Sequence, residues 1–319
     1  MDNLTVAFHQ CHLSERGTTV ALYDYADYNE TILGNKSIII YQRHHVHTNT
    51  SMESKIKDRF ETLTYSSFKQ VEDMITEHNI DYFYCIKYGH PDEYRVTSCP
   101  NLVHAVFTCY PHGEKYALVS DFMSEKYHHM VPAVPHIVRP YILPEKDMRE
   151  ELGIPEDALV FGRYGGYETF DIMYVHSVIK YILGLCPNHY FIFMNTKPFC
   201  VHDRVKFLET KVDMNTKNRF IATCDAMIHA RWDGETFGLS VGEFSAANKP
   251  IITCNIGYKS HIQILGDRAI LYNNLTELLD ILTNFRDRVQ AKGPDYDWNA
   301  YRDYEPEKIM ERFREVFLA

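Results

Sequence analysis

The stretch AMIHARWDGETFGLSVGEFSAANKPIITC, residues 226–254, carries the pattern that decides the fold. It opens with an apolar run, passes through a glycine-containing turn into a helix-length segment at 239–247, and closes with a second apolar run at 250–254. Short buried runs separated by a helix are typical of neighbouring strands in a parallel sheet. The stretch therefore predicts a strand–helix–strand unit and an α/β protein.

The same alternation extends along the whole chain. Before residue 145, apolar runs predict strands at 4–8, 37–41, 82–86, 102–107 and 116–120, and mixed segments predict helices at 17–33 and 66–78. The alternation then restarts and predicts strands at 158–162, 190–195, 226–230 and 250–254. The helices predicted between them lie at 170–184, in a segment that ends near 225, and at 239–247. This pattern indicates parallel sheets that are covered by helices on both faces.

The length of 319 residues suggests about two domains. Between the two series lies the segment 131–158, whose five prolines suit an interdomain connection, because proline fixes φ and removes a backbone donor. We place the domains at 1–142 and 143–300, followed by a closing amphipathic helix within 301–319 that carries Ile309, Phe313 and Phe317 on one face. We expect two doubly wound, Rossmann-like domains that face a cleft, with ligands at the carboxyl ends of the strands.

Composition excludes several classes of protein. The chain is 45% apolar and 24% charged, with a net charge of −10 and no block of basic residues, so we expect no nucleic-acid partner. Its eight cysteines form no CxxC pair, which favours reduced thiols in a cytosolic protein. The sequence shows no signal peptide and no run of about 18 apolar residues. We therefore expect a soluble, cytoplasmic protein without a membrane-spanning segment.

The turn at 234–239 contains the candidate chemistry. The amides of Phe237, Gly238 and Leu239 are predicted at a helix N-terminus, where unpaired N–H groups and the helix dipole favour a phosphate. Glu235 lies in the turn, where its simplest role would be to compensate the helix dipole. Glu243 lies one turn into the helix, and we expect it on an inward face together with Leu239, Ala246 and Ala247, whereas an ordinary glutamate here would be solvated. A buried carboxylate needs hydrogen-bond partners, and a diol offers two hydroxyls.

The pair Glu235 and Glu243 resembles the E-x7-E element of retaining glycosyltransferases of the GT-B fold, of the family 4 type that uses nucleotide sugars. Three further segments are similar to that family: LPEKDMREELGIPEDALVFGRYGG (143–166), NKPIIT (248–253) and HLSERGTTVAL (12–22). The resemblance is good over about 145–272, whereas before residue 145 only the architecture of alternating strands and helices is similar.

The resemblance implies a role for each residue that matches the family pattern. Glu243 would hold the ribose hydroxyls, Glu235 would contact the donor sugar near the reacting carbon, and Arg163 would stabilise the departing phosphate, while the amides of Phe237, Gly238 and Leu239 would bind the diphosphate. Further residues implied on the donor side are Gly165, Gly166, Thr169 and Thr236, and those implied on the acceptor side are Arg16 and Gly17.

The resemblance also implies the partners and the reaction. The first domain would bind a glycan or protein acceptor, and the second would bind a UDP- or GDP-linked sugar. No metal and no cofactor are expected, and the sugar would be transferred with retention of configuration.

The sequence departs from the family at two places. Family members usually carry a lysine shortly after the Gly-Arg pair, where this chain has Thr169 and Phe170, so that Lys197 or Arg231 would have to supply the second cation. Family members also carry a histidine in the first domain that often hydrogen-bonds the donor sugar and would belong to the catalytic residues, and in this chain its position is displaced. Thr108 stands nearest to its position, and His112 follows in the same loop.

Other classes fit the sequence less well. A dinucleotide oxidoreductase needs G-x-G-x-x-G after a strand, and GRYGG (162–166) has another spacing. The DYD at 295–297 follows the last strand, where a metal-binding D-x-D would be misplaced, and RHHVH (43–47) suits a polar loop better than a metal site. A nucleotide-sugar epimerase and a non-catalytic sugar-binding protein stay open as alternatives.

Overall fold

Parallel strands alternate with helices throughout the computed structural model, which describes residues 3–211 and 213–319. The chain divides into two units. The first holds the residues up to Ile137 and the C-terminal segment Tyr304–Ala319, and the second holds Val138–Asp303. These divisions lie close to the predicted boundaries at 142 and 300, and the C-terminal segment joins the first unit.

The first unit is built on a parallel sheet that is buried on both faces. Its strands are β1 (Thr5–Gln10), β2 (Lys36–Gln42), β3 (Glu61–Tyr65), β4 (Tyr82–Lys87), β5 (Asn101–Ala105) and β6 (Lys115–Leu118), in the order β3-β2-β1-β4-β5-β6. Consecutive residues of β2, from Ser37 to Tyr41, are all buried. A strand covered on both faces needs such a continuous apolar run, which explains why the central strands were predictable.

Helices connect these strands, namely α1 (Gly17–Thr31), α2 (Thr50–Arg59) and α3 (Gln70–Glu77), and α4 (Asp121–Lys126) follows β6. The predicted helix at 66–78 begins only at Gln70. There the Gln70 side chain accepts hydrogen bonds from the amides of Ser66 and Ser67, which holds those two residues in a turn ahead of the helix.

The second unit repeats this plan. Its strands are β7 (Leu159–Tyr164), β8 (His189–Met194), β9 (Val205–Leu208), β10 (Ala226–His229), β11 (Gly234–Glu235), β12 (Ile251–Cys254), β13 (Tyr258–Lys259) and β14 (Ala269–Tyr272). Its helices are α5 (Arg149–Leu152), α6 (Met173–Leu185), α7 (Met214–Thr223), α8 (Leu239–Ala246), α9 (Ser260–Leu265), α10 (Leu275–Thr283) and α11 (Phe285–Gln290). The main sheet has the order β14-β12-β10-β7-β8-β9, and β11 pairs with β13.

The chain closes with α12 (Pro306–Phe313) and a π-helical turn at Arg314–Leu318. The predicted apolar face of this segment is confirmed, because Ile309, Phe313 and Phe317 are all buried. The Phe313 ring stacks on Tyr25 at 5.2 Å and the Phe317 ring meets Tyr84 at 5.6 Å, both within the first unit. These aromatic contacts attach the end of the chain to the first sheet.

The two sheets share one topology. Counted from its own first strand, each has the order 3-2-1-4-5-6, the doubly wound order of dinucleotide-binding folds. The strand order therefore reverses between β1 and β4 in the first unit and between β7 and β10 in the second. Within residues 3–211 and 213–319, each helix is too short or too polar to cross a bilayer.

The sequence analysis missed strands at the sheet edges. β3, β9 and β14 each lie at an edge, and most of their residues are only half-buried. An edge strand has a neighbour on one side only, so its sequence needs no continuous apolar run. The eight cysteines, all in the described part of the chain, are free thiols.

Candidate active site

The candidate site lies where the strand order of the second sheet reverses. β7 and β10 are neighbours there, with Phe161 paired to Ala226 and Gly162 to Met227. Open α/β sheets bind ligands outside the carboxyl ends of their strands at such a switch point. Arg163 lies near the end of β7, and Glu235 lies in the segment that follows β10, so the topology brings both to the same edge of the sheet.

Arg163 is a buried cation that is held by two loops of its own unit. One amino group (Nη1) donates to the Thr196 hydroxyl at 2.5 Å, and the other (Nη2) donates to the Thr169 hydroxyl at 2.6 Å and to the Gly166 carbonyl at 3.0 Å. Burial lowers the pKa of Arg163 to about 10, although the nearby Glu235 opposes the shift. The guanidinium therefore carries its charge at neutral pH.

Three glycines lie next to Arg163 in the sequence, and a side chain at any of their positions would clash with its neighbours. A Cβ on Gly162 would lie 2.1 Å from Cys224 Sγ, and one on Gly165 would lie 2.8 Å from the Nη2 of Arg163. A Cβ on Gly166 would meet the Thr169 side chain at 3.0 Å. Gly165, Gly166 and Thr169, which the sequence analysis assigned to the donor site, thus form the turn that receives the guanidinium.

The turn between β10 and α8 depends on two glycines with positive φ. Gly234 has φ of 65°, and a Cβ there would lie 2.2 Å from the carbonyl oxygen of Tyr258. Gly238 has φ of 90° and caps α8, whose N-terminus has no side-chain cap within the described part of the chain. Thr236 and Phe237 are buried between these glycines. The amides of residues 237–239 therefore lie at the positive end of a helix, as predicted.

Glu235 is an ionised carboxylate with two protein partners. Its Oε2 accepts from Nη1 of Arg231 at 3.0 Å, and its Oε1 lies 3.2 Å from Nε2 of His229. Burial would raise the pKa of Glu235, but the hydrogen bond from His229 and the charge of Arg231, with a smaller effect of His261, outweigh it and lower the pKa to about 2. A carboxylate at this position is more than a dipole-compensating surface residue, because its side chain is only 17% exposed.

Glu243 lies on α8 and is also paired. Its Oε1 accepts from Nζ of Lys217 at 2.5 Å, and its Oε2 accepts from the hydroxyl of Tyr164. The side chains of Lys217 and Glu243 are 12% and 13% exposed, so the carboxylate is partly buried, as expected. Each carboxylate oxygen keeps a second acceptor site, so two further hydroxyls can bind.

One detail of the predicted α8 face was wrong. Leu239, Ala246 and Ala247 were expected to point inward, but they are only half-buried. The buried side chains of α8 are Val241, Gly242, Phe244 and Ser245. The helix is rotated because Phe244 stacks on Tyr164 at 5.6 Å and Gly242 packs closely against Tyr301.

The two candidates for the missing lysine differ in their surroundings. Lys197 is 65% exposed and lies 3.4 Å from Glu168. Arg231 is 22% exposed and is bound to Glu235, and its positive charge acts on Arg163 by lowering the pKa of that residue. Of the two, only Arg231 has contacts within the cluster around Glu235 among the described residues.

The predicted residues of the first unit lie after its strands. Arg16 is exposed and its carbonyl begins α1, with Gly17 as the first helical residue. His112 is half-buried, and its Nδ1 lies 2.7 Å from the Tyr110 carbonyl while its ring meets Tyr116. The acceptor role of Arg16 and Gly17 and the catalytic role of His112 stay predictions.

Comparisons with known proteins support the fold. No protein-family model and no curated protein matches the sequence. Solved structures share its fold of two Rossmann-like α/β domains, the GT-B fold, along the whole length of the chain.

A glycosyltransferase from Rickettsia africae ESF-5 is similar with a TM-score of 0.72 at 14% identity, covering 99% of each chain. HepE of Anabaena, solved in complex with UDP-glucose, is similar with a TM-score of 0.75 at 13% identity, covering 99% of this chain and 100% of that one. A putative UDP-N-acetylglucosamine 2-epimerase from Listeria monocytogenes has a TM-score of 0.63 at 11% identity, covering 98% and 95%.

Several residues of the site escaped the sequence analysis. Lys217 on α7 and Tyr164 at the end of β7 bind Glu243, and Thr196 binds Arg163. His261 on α9 lies next to His229, with ring centres 4.8 Å apart. Only Tyr164 carried a signal, because it directly follows the Gly-Arg pair. The others come from distant segments that meet through the sheet order.

Proposed function

We propose that this protein is a glycosyltransferase that moves a sugar from a nucleotide-diphosphate sugar to a glycan or protein acceptor. The observation that carries the proposal is the charge arrangement at the switch point of the second sheet. There the ionised Glu235 is paired with Arg231 beside Arg163 and the N-terminus of α8. The similarity in fold to HepE, which was solved with UDP-glucose, supports the proposed use of a nucleotide sugar.

In this proposal the donor lies along the edge of the second sheet. The diphosphate takes the amides of residues 237–239 as hydrogen-bond donors, since a helix N-terminus favours negative charge. Arg163 offers a fixed cation for the phosphate that departs, because its guanidinium is already oriented by Thr169 and Thr196. Glu243 accepts the ribose hydroxyls with the acceptor sites that Lys217 and Tyr164 leave open.

The proposed reaction retains the anomeric configuration. The bond between the anomeric carbon and the phosphate oxygen breaks, and the acceptor hydroxyl attacks from the same face. The proton of that hydroxyl passes to the departing phosphate oxygen. Glu235 serves the sugar rather than acting as a nucleophile, because Arg231 and His229 hold both of its oxygens.

Further parts of the proposal come from the family resemblance, namely a UDP- or GDP-linked donor, no metal ion and no resident cofactor. We also propose a cytoplasmic location, which the composition of the sequence favours. The second candidate is a nucleotide-sugar epimerase, which the similarity in fold to the Listeria protein favours. A non-catalytic sugar-binding protein is the third, although it would have no use for a buried, charge-paired Glu235.

Incubation with labelled UDP- and GDP-sugars and a panel of glycan acceptors tests the proposal. Transfer to an acceptor supports it, epimerisation without an acceptor favours the second candidate, and binding without turnover favours the third. NMR of the product should show the anomeric configuration of the donor, and EDTA should leave the rate unchanged. An inverted product, or a rate that EDTA abolishes and manganese restores, would remove those parts of the proposal.

A further inference from the structure

Behind Glu235, three buried side chains form a continuous chain of hydrogen bonds. Nε2 of His229 lies 3.2 Å from Oε1 of Glu235, and Nδ1 of the same ring lies 2.9 Å from the hydroxyl of Thr253. That hydroxyl lies 2.9 Å from Nε2 of His261. His229 is 3% exposed, and Thr253 and His261 are not exposed at all. The carboxylate is thus linked to the interior of the second unit.

The fold holds this chain in place. His229 and Thr253 are paired residues of the neighbouring strands β10 and β12, so their side chains meet on one face of the sheet. The hydroxyl of Tyr272 donates to the carbonyl of His229 at 2.8 Å, which fixes the strand end. His261 packs under the N-terminus of α8, since a Cβ on Gly238 would lie 3.2 Å from the Cβ of His261.

The direction of the hydrogen bonds follows from their two ends. An ionised carboxylate can only accept, so Nε2 of His229 must carry a proton, and in a neutral ring its Nδ1 then accepts from the Thr253 hydroxyl. The Thr253 oxygen in turn accepts from Nε2–H of His261. Nδ1 of His261, which is buried and has no hydrogen-bond partner among residues 3–211 and 213–319, is left as an acceptor. If the hydrogen bonds ran in the opposite direction, Nδ1 of His261 would be a buried N–H donor without an acceptor, which is rarer and more costly than a buried acceptor without a donor.

We propose that His229, Thr253 and His261 are positioning residues that hold Glu235 in one orientation for the donor sugar, through a hydrogen-bond chain that runs from His261 to the carboxylate. The proposal rests on the glycosyltransferase function proposed above. It assigns each histidine a single neutral tautomer with the proton on Nε2.

The surrounding charges agree with this arrangement. The charged and titratable groups around the chain include Glu235, Arg231 and Arg163, the two histidines themselves, and Tyr272, whose hydroxyl donates to the His229 carbonyl. Burial lowers the pKa of His261 to about 3, and the neighbouring His229 adds to that effect, so the ring stays neutral at neutral pH. Because the Glu235 carboxylate is ionised and His261 is neutral, the hydrogen bonds from His261 to Glu235 can keep one direction without any proton moving along the chain.

The tautomers can be measured in the ligand-free protein. Long-range ¹H–¹⁵N correlation spectra of histidine-labelled protein distinguish a ring protonated on Nε2 from one protonated on Nδ1, and the variants His229→Gln and His261→Gln assign the two signals. We expect both rings to be neutral with the proton on Nε2. A proton on Nδ1 of either ring overturns the proposed chain, whether or not the protein turns over any sugar.

Kinetics then test the positioning role. Thr253→Val should lower kcat about ten-fold, the scale for losing one hydrogen bond to a charged network, with nucleotide affinity unchanged. Thr253→Ser keeps the hydroxyl and should recover most of the rate. Thr223→Val is the matched control, because Thr223 is equally buried in this unit and bonds to Arg219 and Met148 instead.

The outcomes separate the two proposals. If sugar is transferred and Thr253→Val turns over like Thr223→Val, the positioning role is lost while the glycosyltransferase function stands. If no sugar nucleotide is turned over, the proposed function fails and with it the positioning of a donor sugar, while the tautomers still decide whether the hydrogen-bond chain exists.

Discussion

At the scale of single residues, the candidate site keeps its charges paired before any ligand binds. Glu243 binds Lys217, Glu235 binds Arg231, and Arg163 is surrounded by hydroxyl and carbonyl oxygens. Removing one partner of a buried pair leaves an uncompensated charge and costs several kcal/mol of stability, about 3–5 in measured cases. Variants that keep the shape of the side chain therefore report on function more cleanly than truncations.

The two glutamates should affect different steps. Glu243→Gln should weaken binding of the free nucleotide by about 1.5–3 kcal/mol, the range for hydrogen bonds to a charged group. Glu235→Gln should spare nucleotide affinity and lower kcat, because in the proposed function Glu235 contacts the sugar and not the nucleotide. Calorimetric titration with UDP and GDP, together with steady-state kinetics, measures both. Equal losses of nucleotide affinity in the two variants would contradict this division.

Arg163 should dominate stabilisation of the departing phosphate. Arg163→Ala should reduce kcat about 100-fold or more, the scale for losing one fixed donor to developing negative charge. Arg163→Lys should recover little, since one ammonium cannot reach Thr196 and Thr169 as the guanidinium does.

Arg231→Ala and Lys197→Ala then identify the second cation. We expect Arg231→Ala to behave like Arg163→Ala and Lys197→Ala to be nearly silent, because Lys197 is exposed and faces Glu168. If all three alanine variants turn over like the parent, the diphosphate binds elsewhere.

At the scale of secondary-structure elements, α8 needs a glycine inside it to approach its neighbours. A Cβ on Gly242 would lie 2.7 Å from Cγ2 of Val138 and 2.8 Å from Cδ1 of Tyr301. The helix could therefore not pack so closely against these residues with any other side chain at this position. This close packing holds Glu243, the next residue, in its place.

Gly242→Ala should destabilise the second unit even though alanine favours helices. Overpacking costs about 1–3 kcal/mol, whereas the gain in helix propensity is about 1 kcal/mol. Gly184→Ala in α6 is the matched control, because a Cβ there meets nothing within 4 Å, and it should be neutral or slightly stabilising. Thermal unfolding of both variants measures the difference, and a Gly242→Ala protein as stable as Gly184→Ala would show that α8 can shift without cost.

The elements of the site differ in how far the sequence predicts them. The segment from β10 to β12 was predictable because its signals are local: two apolar runs, glycines at the turn and a helix between them. The contact of Lys217 with Glu243 was not, because it depends on α7 and α8 meeting across the sheet.

At the scale of the whole molecule, both units bury neutral histidines. In the first unit, burial lowers the pKa of His9 to about 3 and that of His104 to about 4, and in the second unit it lowers the pKa of His261 to about 3. The unfolded chain takes up these protons near pH 6.5, whereas the folded chain does so only near pH 3–4. Between these values the unfolded state binds more protons, so stability falls as the pH is lowered.

We therefore expect the protein to lose stability between pH 7 and pH 5, by about 1–2 kcal/mol for each such histidine. His104→Gln tests this in the first unit, since an amide can still donate to the Val134 carbonyl that His104 contacts at 2.7 Å. Urea titrations at pH 7 and pH 5, each followed by a deuterium pulse at one common pH, report the unfolding of β5 in the first unit. The loss of stability between pH 7 and pH 5 should be larger in the parent than in the variant, and the difference should equal the contribution of one histidine.

The lowered pKa of Glu235 makes no contribution in this range, because the carboxylate is ionised in both states above about pH 5. Equal pH dependence in parent and variant would show that His104 is protonated in the folded protein as readily as in the unfolded one.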